Sequence, residues 1–200
     1  MRIVAVAAAA LAAAALFAAG CDKLLPNAKS PFNGVDVTGS PIGSDFRLAD
    51  PDGQPRSLAD FRGKVVVLVF GYTHCPDVCP TTLADFAAAV KRLGPEGRRV
   101  QVLFVTLDPR RDTPELLRQY VPAFDPAFLG LRGDETATGK VTRDYRIYAN
   151  RREGSGPDSY TVDHSAQSFV FDPSGRMRLV IGYGMPAEKI AADLRLLMNG

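Results

Sequence analysis

The feature that most constrains this 200-residue chain is an apolar run, Val65 to Phe70, rich in β-branched residues and broken at once by Gly71-Tyr72-Thr73-His74-Cys75-Pro76-Asp77-Val78-Cys79-Pro80. A run of that length and composition, bounded by turn residues, is predicted as a buried strand. Beyond it Leu83, Phe86, Ala87, Val90 and Leu93 recur at helical spacing, so Thr81 to Leu93 is predicted as a helix, ended by Gly94-Pro95-Glu96-Gly97. Val100 to Leu107 supplies a second central strand. Strand, helix, strand in that order is a right-handed βαβ unit with parallel strands. Two thiols therefore sit where a strand turns into a helix. On a helical turn Cys75 and Cys79 share a face, with Cβ atoms roughly 5–6 Å apart. That spacing suits two thiolates gripping one metal ion. A disulfide is also open, after local unwinding brings the Cβ atoms within about 4.5 Å. A helix N-terminus favours the thiolate, which is both metal ligand and nucleophile.

The remaining elements follow from the same signals. Asp45 to Leu48 is predicted as an opening strand, Asp50-Pro51-Asp52-Gly53 as a turn and Ser57 to Phe61 as a helical turn. Asp112-Thr113-Pro114-Glu115 opens a helix with a capping residue and an early Pro. Thr136 to Tyr145 is a more polar helix, and Arg146 to Tyr160 a loop or loose hairpin. Gln167 to Asp172 and Met177 to Ile181, joined by Pro173-Ser174-Gly175, form an antiparallel hairpin. Ala187 to Met198 closes the chain as an amphipathic helix. This order is that of an α/β, thioredoxin-like fold, a central mixed β-sheet flanked by helices.

The first twenty residues have a different character. Arg2 precedes Ile3 to Ala19, an uncharged, Ala-rich run of about 17 residues. Ala18-Ala19-Gly20-Cys21 resembles a bacterial lipobox, in which the leader is cut before the Cys and that Cys is acylated. We therefore expect residues 1–20 to be a signal peptide or membrane anchor and 21–41 to carry the lipid on Cys21 and act as a flexible spacer. Pro26, Pro31, Gly34, Gly39 and Pro41 give the spacer its character. Residues 42–200 remain for the thioredoxin-like domain. Acylation of Cys21 and an uncleaved anchor are both open; either exports the domain and tethers it to a membrane. The Asp22 that follows resembles the signal for retention at the bacterial inner membrane, which places the domain on the periplasmic face. The rest of the chain has ordinary globular composition, 46% hydrophobic and 23% charged, and a net charge of +2 with no basic run gives no footprint for nucleic acid.

Three cysteines are present, so with Cys21 lipidated only Cys75 and Cys79 remain. A disulfide across so short a span constrains almost none of the unfolded chain, and the pair is there for chemistry. Of two histidines, His164 lies in Val162-Asp163-His164-Ser165, just before the strand expected near Gln167. In a thioredoxin-like sheet that loop lies against the Cys motif. Two thiolates and one imidazole form an S₂N set that suits copper, whereas structural zinc normally takes four protein ligands. Asp77 is open as a fourth ligand, a loop-shaping residue or a helix cap. His74 adjoins Cys75 and does not share a regular face with it; a role tuning the thiols, facing a partner or simply filling the loop stays open. Asp108 to Glu115 is either a docking surface or a set of loop-ordering ion pairs with a helix cap.

Three stretches resemble the signatures of the Sco/SenC family: Phe70 to Pro80, then Val105-Thr106-Leu107-Asp108-Pro109-Arg110-Arg111-Asp112-Thr113-Pro114-Glu115, then Val162-Asp163-His164-Ser165. The resemblance covers roughly residues 42 to 198. It implies one copper ion, Cu(I) or Cu(II), held by Cys75, Cys79 and His164, and a metallochaperone that helps assemble the dinuclear copper centre of cytochrome c oxidase. It also implies a redox-active Cys75–Cys79 pair, so a thiol–disulfide oxidoreductase acting on the oxidase subunit's cysteines is the alternative. The partners implied are that copper-site subunit, another copper chaperone or thiol reductant, and the membrane.

Overall fold

The protein is described by a computed structural model covering residues 30–43, 45–156 and 159–199. The expected leader and Cys21 lie outside these residues. In chain order the elements are β1 (Val35–Asp36), β2 (Leu48–Ala49), β3 (Pro55–Arg56), a 3₁₀ turn Leu58–Phe61, β4 (Val65–Gly71) and α1 (Val78–Leu93). A second 3₁₀ turn, Gly94–Arg99, leads to β5 (Val100–Thr106), α2 (Pro114–Tyr120), β6 (Leu129–Leu131) and α3 (Glu135–Asp144). The chain closes with β7 (Ala149–Glu153), β8 (Tyr160–His164), β9 (Ser168–Phe171), β10 (Met177–Ile181) and α4 (Ala187–Asn199).

One mixed sheet, ordered β1-β10-β9-β4-β5-β6, organises the molecule. β4 runs parallel to β5, and β5 to β6, while β9 is antiparallel to β4 and β10 to β9. Every residue of β4 and β5 is buried. This explains why β4 reads as a continuous apolar run rather than an alternation, since a central strand is covered on both faces. On one face α1 packs against α4. Phe70 points to the other, where its ring meets Tyr145 at 5.4 Å and Phe169 at 6.0 Å. The parallel strands β4 and β5 both end at the same edge of the core, and their outgoing loops meet there.

The structure differs from the sequence expectations in four places. The opening strand is displaced to Leu48–Ala49 and pairs with Pro55–Arg56. β1 and β6, short edge strands, were not expected at all. Residues Val35–Asp36, inside the stretch expected to be spacer, pair with Val180 and Leu179 of β10. Just before them, Asn33 and Gly34 donate backbone N–H groups to the buried Asp193 carboxylate at 2.8 and 2.7 Å. Finally, the expected loop before Gln167 contains a strand, β8, which pairs with β7 from Ala149↔His164 to Glu153↔Tyr160. Among the described residues no helix is long and apolar enough to cross a membrane.

The β9–β10 hairpin depends on one carboxylate. Asp172 Oδ1 accepts from the Ser174 and Arg176 backbone N–H groups at 2.9 and 3.1 Å, and Oδ2 faces the guanidinium groups of Arg176 at 3.1 Å and Arg178 at 3.4 Å. Burial opposes its charge, but the hydrogen bonds from Ser174 and Arg176 and the nearby guanidinium groups outweigh it and hold the carboxyl below 3.8. Stability from this group is therefore present above 3.8 and is lost as the pH falls through the lower folded value. Replacing Asp172 with Asn should cost about 1–3 kcal/mol at neutral pH, because donors remain and an acceptor is lost. Chemical denaturation across the acid range should show the gap between variant and wild type shrinking below 3.8; a gap independent of pH would refute the assignment.

Candidate metal centre

The Cys motif begins where β4 ends. Cys75 N–H donates to the Tyr72 carbonyl at 3.2 Å, closing a turn through Thr73 and His74. Val78 starts α1, so Cys79 lies in the first helical turn while Cys75 stays in the loop before it. The two cysteines therefore do not share a helical face, as the spacing had suggested; the loop folds one sulfur back over the other. Cys79 is buried and Cys75 half-buried, and both are free thiols.

Gly71 makes the burial of Cys79 possible. A Cβ at position 71 would lie 2.7 Å from Cys79 Sγ and 2.8 Å from Phe104 Cε2. A glycine closing an apolar run immediately before a reactive motif is the sequence signal of such an approach. Enclosure has an electrostatic consequence. Burial pushes the Cys79 thiol far above its ordinary range, against a hydrogen bond from the Tyr72 backbone that pulls it down. The expectation that the helix N-terminus favours a thiolate here is thus reversed by desolvation. In the metal-free protein Cys79 is a thiol, and a bound cation must displace its proton.

His164, at the end of β8, completes the cluster. Its Nε2 lies 3.4 Å from Cys79 Sγ. Its Nδ1 lies 2.8 Å from the Ser165 carbonyl, which can only accept, so Nδ1 carries the proton. In the neutral ring this leaves the Nε2 lone pair facing the sulfurs, the tautomer a metal-ligating histidine needs. The Tyr72 ring meets the imidazole edge-on, centroids 6.0 Å apart. Donor atoms of Cys75, Cys79 and His164 all lie within 4.8 Å of one another. An ion about 2.0–2.3 Å from each donor requires separations no greater than about 4.6 Å, so the donors close on an ion with small shifts. A cavity of about 350 Å³ opens onto this cluster, lined by Tyr72, Cys75, Val78, Val162 and His164 among others.

Other candidates fall outside the cluster. Asp77 stands at the helix N-cap position, and its carboxylate accepts from Thr81 Oγ1 at 3.3 Å. His74 is half-exposed, with Nδ1 3.1 Å from Thr73 Oγ1 and 3.7 Å from Asp112. Asp112 was expected to help open α2, but Thr113 is the cap, accepting from Leu116 N–H, and Asp112 is fully buried beneath the Cys loop.

Residues 36–199 match the protein-family model described as SCO1/SenC. The "Protein SCO2 homolog, mitochondrial" of Mus musculus is 39% identical over 153 residues, 76% of this chain and 60% of that protein, so the match spans under two thirds of the relative's length. Among solved structures, Bradyrhizobium japonicum ScoI with copper bound is 37% identical, with a TM-score of 0.72 over 78% of this chain and 99% of that one. Apo Sco1 from Thermus thermophilus is 40% identical, with a TM-score of 0.75 over 85% and 99% of the two chains.

Because a Cβ has no room at position 71, Gly71→Ala should cost about 1–3 kcal/mol through overpacking and displace Cys79 Sγ. Thermal unfolding should register the first effect and metal titration the second. Wild-type values for both would show that the close approach does not set the sulfur's position.

Proposed function

The chain belongs to the SCO1/SenC family, and on that premise we propose that it binds one copper ion through Cys75, Cys79 and His164 and assists assembly of the dinuclear copper centre of cytochrome c oxidase. The observation that carries this reading is the convergence of two thiols and an imidazole lone pair within 4.8 Å. Soft sulfur suits Cu(I), and the imidazole helps accommodate Cu(II). The relative from Bradyrhizobium japonicum, over a third identical and matched along nearly its whole length, is a copper-bound protein.

Each donor has a distinct part in loading and release. His164 presents its lone pair without rearrangement because the Ser165 carbonyl fixes the ring. Cys79, enclosed against Gly71, releases its proton as the cation enters. Cys75 is half-buried and is the sulfur that an incoming donor of the oxidase subunit or another chaperone reaches first. Transfer then proceeds by exchange of sulfur ligands at the open side. The tether in this reading is the acylated Cys21 or the apolar leader, holding the domain at the periplasmic face of the inner membrane.

A second reading is supported by the free pair itself. Cys75 could attack a partner disulfide and Cys79 resolve the mixed disulfide, leaving two reduced thiols on the partner and a Cys75–Cys79 disulfide here. That disulfide removes both sulfur donors, so the redox state would gate copper binding.

The full chain, reduced and titrated with Cu(I) and Cu(II), should take up one copper and show a thiolate-to-Cu(II) charge-transfer band. His164→Ala should lose most of the affinity and change the band. Full copper retention by that variant would sink the three-ligand site. Failure of the wild type to bind, with thiols that cycle readily in a redox buffer, would establish the reductase instead.

A further inference from the structure

The two halves of the cluster come from loops far apart in sequence, and the second signature, Asp108 to Asp112, touches both. Toward the cysteines, Asp112 accepts from Thr73 Oγ1 at 2.6 Å and from Thr73 N–H at 3.1 Å. Thr106 Oγ1, at the end of β5, donates to the same carboxylate at 2.5 Å. Thr73 is the first central residue of the turn that presents Cys75, so this clamp fixes where the turn sits. Toward the histidine, Asp108 accepts from Tyr160 Oη at 2.8 Å and from Arg111 Nε at 2.6 Å. Arg111 donates to the Tyr160 carbonyl at 3.0 Å and lies over the Tyr160 ring, 3.5 Å from its centroid. Tyr160 begins the strand that ends in His164. The two anchors are joined, because Asp112 N–H donates to the Asp108 carbonyl at 3.0 Å and Asp108 N–H to Thr106 Oγ1 at 3.0 Å.

We propose that the Asp108–Asp112 loop is a brace that sets the separation of the sulfur and nitrogen halves of the metal centre, with Thr73 and Tyr160 as positioning residues. The inference rests on the copper reading for its purpose, though the bonds that define it do not. Burial gives the brace its stiffness: Thr106, Asp108 and Asp112 are all buried, where water cannot compete for a hydrogen bond and a broken one leaves an unsatisfied group. The neighbouring Arg110–Glu135 pair is exposed on both sides and contributes little, which makes it a control within the same loop.

The test uses the full chain and four near-isosteric or surface changes. Thr73→Val and Tyr160→Phe should each weaken copper affinity about tenfold, the low end of what outer partners of metal ligands supply, and shift the thiolate-to-Cu(II) band while the chain stays folded. Thr73→Ser should restore wild-type affinity, and Arg110→Ala should alter nothing. In metal-free protein, amide hydrogen exchange should quicken at 73–75 in the first variant and at 160–164 in the second. Unchanged exchange in those segments, or faster exchange spread across the whole sheet, overturns the brace. If the wild type takes no copper the metal reading falls, and the exchange result still decides the brace.

Discussion

Everything at the functional end of this molecule depends on how closely α1 approaches the end of β4. The absence of a side chain at Gly71 lets Cys79 Sγ occupy space a Cβ would need. The sulfur is thereby sealed between strand and helix, 1% exposed. Two opposing effects meet there, the helix N-terminus favouring the anion and desolvation penalising it. Desolvation acts on the full charge and wins. A buried neutral thiol is inert toward solvent oxidants and electrophiles, yet it becomes a strong donor once a cation offers to replace its proton.

The scaffold makes that arrangement affordable by separating tasks. β4 and β5 are wholly buried and mostly apolar, and they fix two chain ends side by side at one edge of the core. At and beyond those ends Asp108, Asp112, Thr73, Thr106 and Tyr160 satisfy one another. Members of this network lie on segments that are remote in sequence, so its cost in chain entropy is met by the sheet that already holds them.

How much of this could be read from sequence follows from where the determining forces are local. The strands β4 and β5 and the helix α1 declare themselves through apolar periodicity, and the terminal hairpin through Pro173-Ser174-Gly175. β1 and β6 do not, because strands of two and three residues hold too few side chains for a period, and they exist only through pairing with β10 and β5. β8 does alternate, with Tyr160 and Val162 buried and Thr161 exposed, but the polar Gly-rich stretch before it masks the pattern. The three cluster residues were legible because their chemistry is rare in the chain. The bonds of Asp112 were not, since an aspartate before Thr-Pro-Glu is an ordinary helix opening, and only the fold brings Thr73 to it.

The orientation of His164 bears on which chemistry the cluster is built for. In a thiol exchange centre a histidine serves as base to the attacking sulfur, and the attacking sulfur must be reachable. Here the reachable sulfur is Cys75, while Nε2 stands at hydrogen-bond distance from Cys79, the sealed one. A base aimed at a buried thiol activates nothing that a partner disulfide can touch. A lone pair aimed at the point where two sulfurs converge, with its ring pinned by a backbone carbonyl, is what a cation needs. In the copper reading proposed above, the same enclosure that makes Cys79 a poor nucleophile makes it the retained ligand, with Cys75 as the sulfur through which metal enters and leaves.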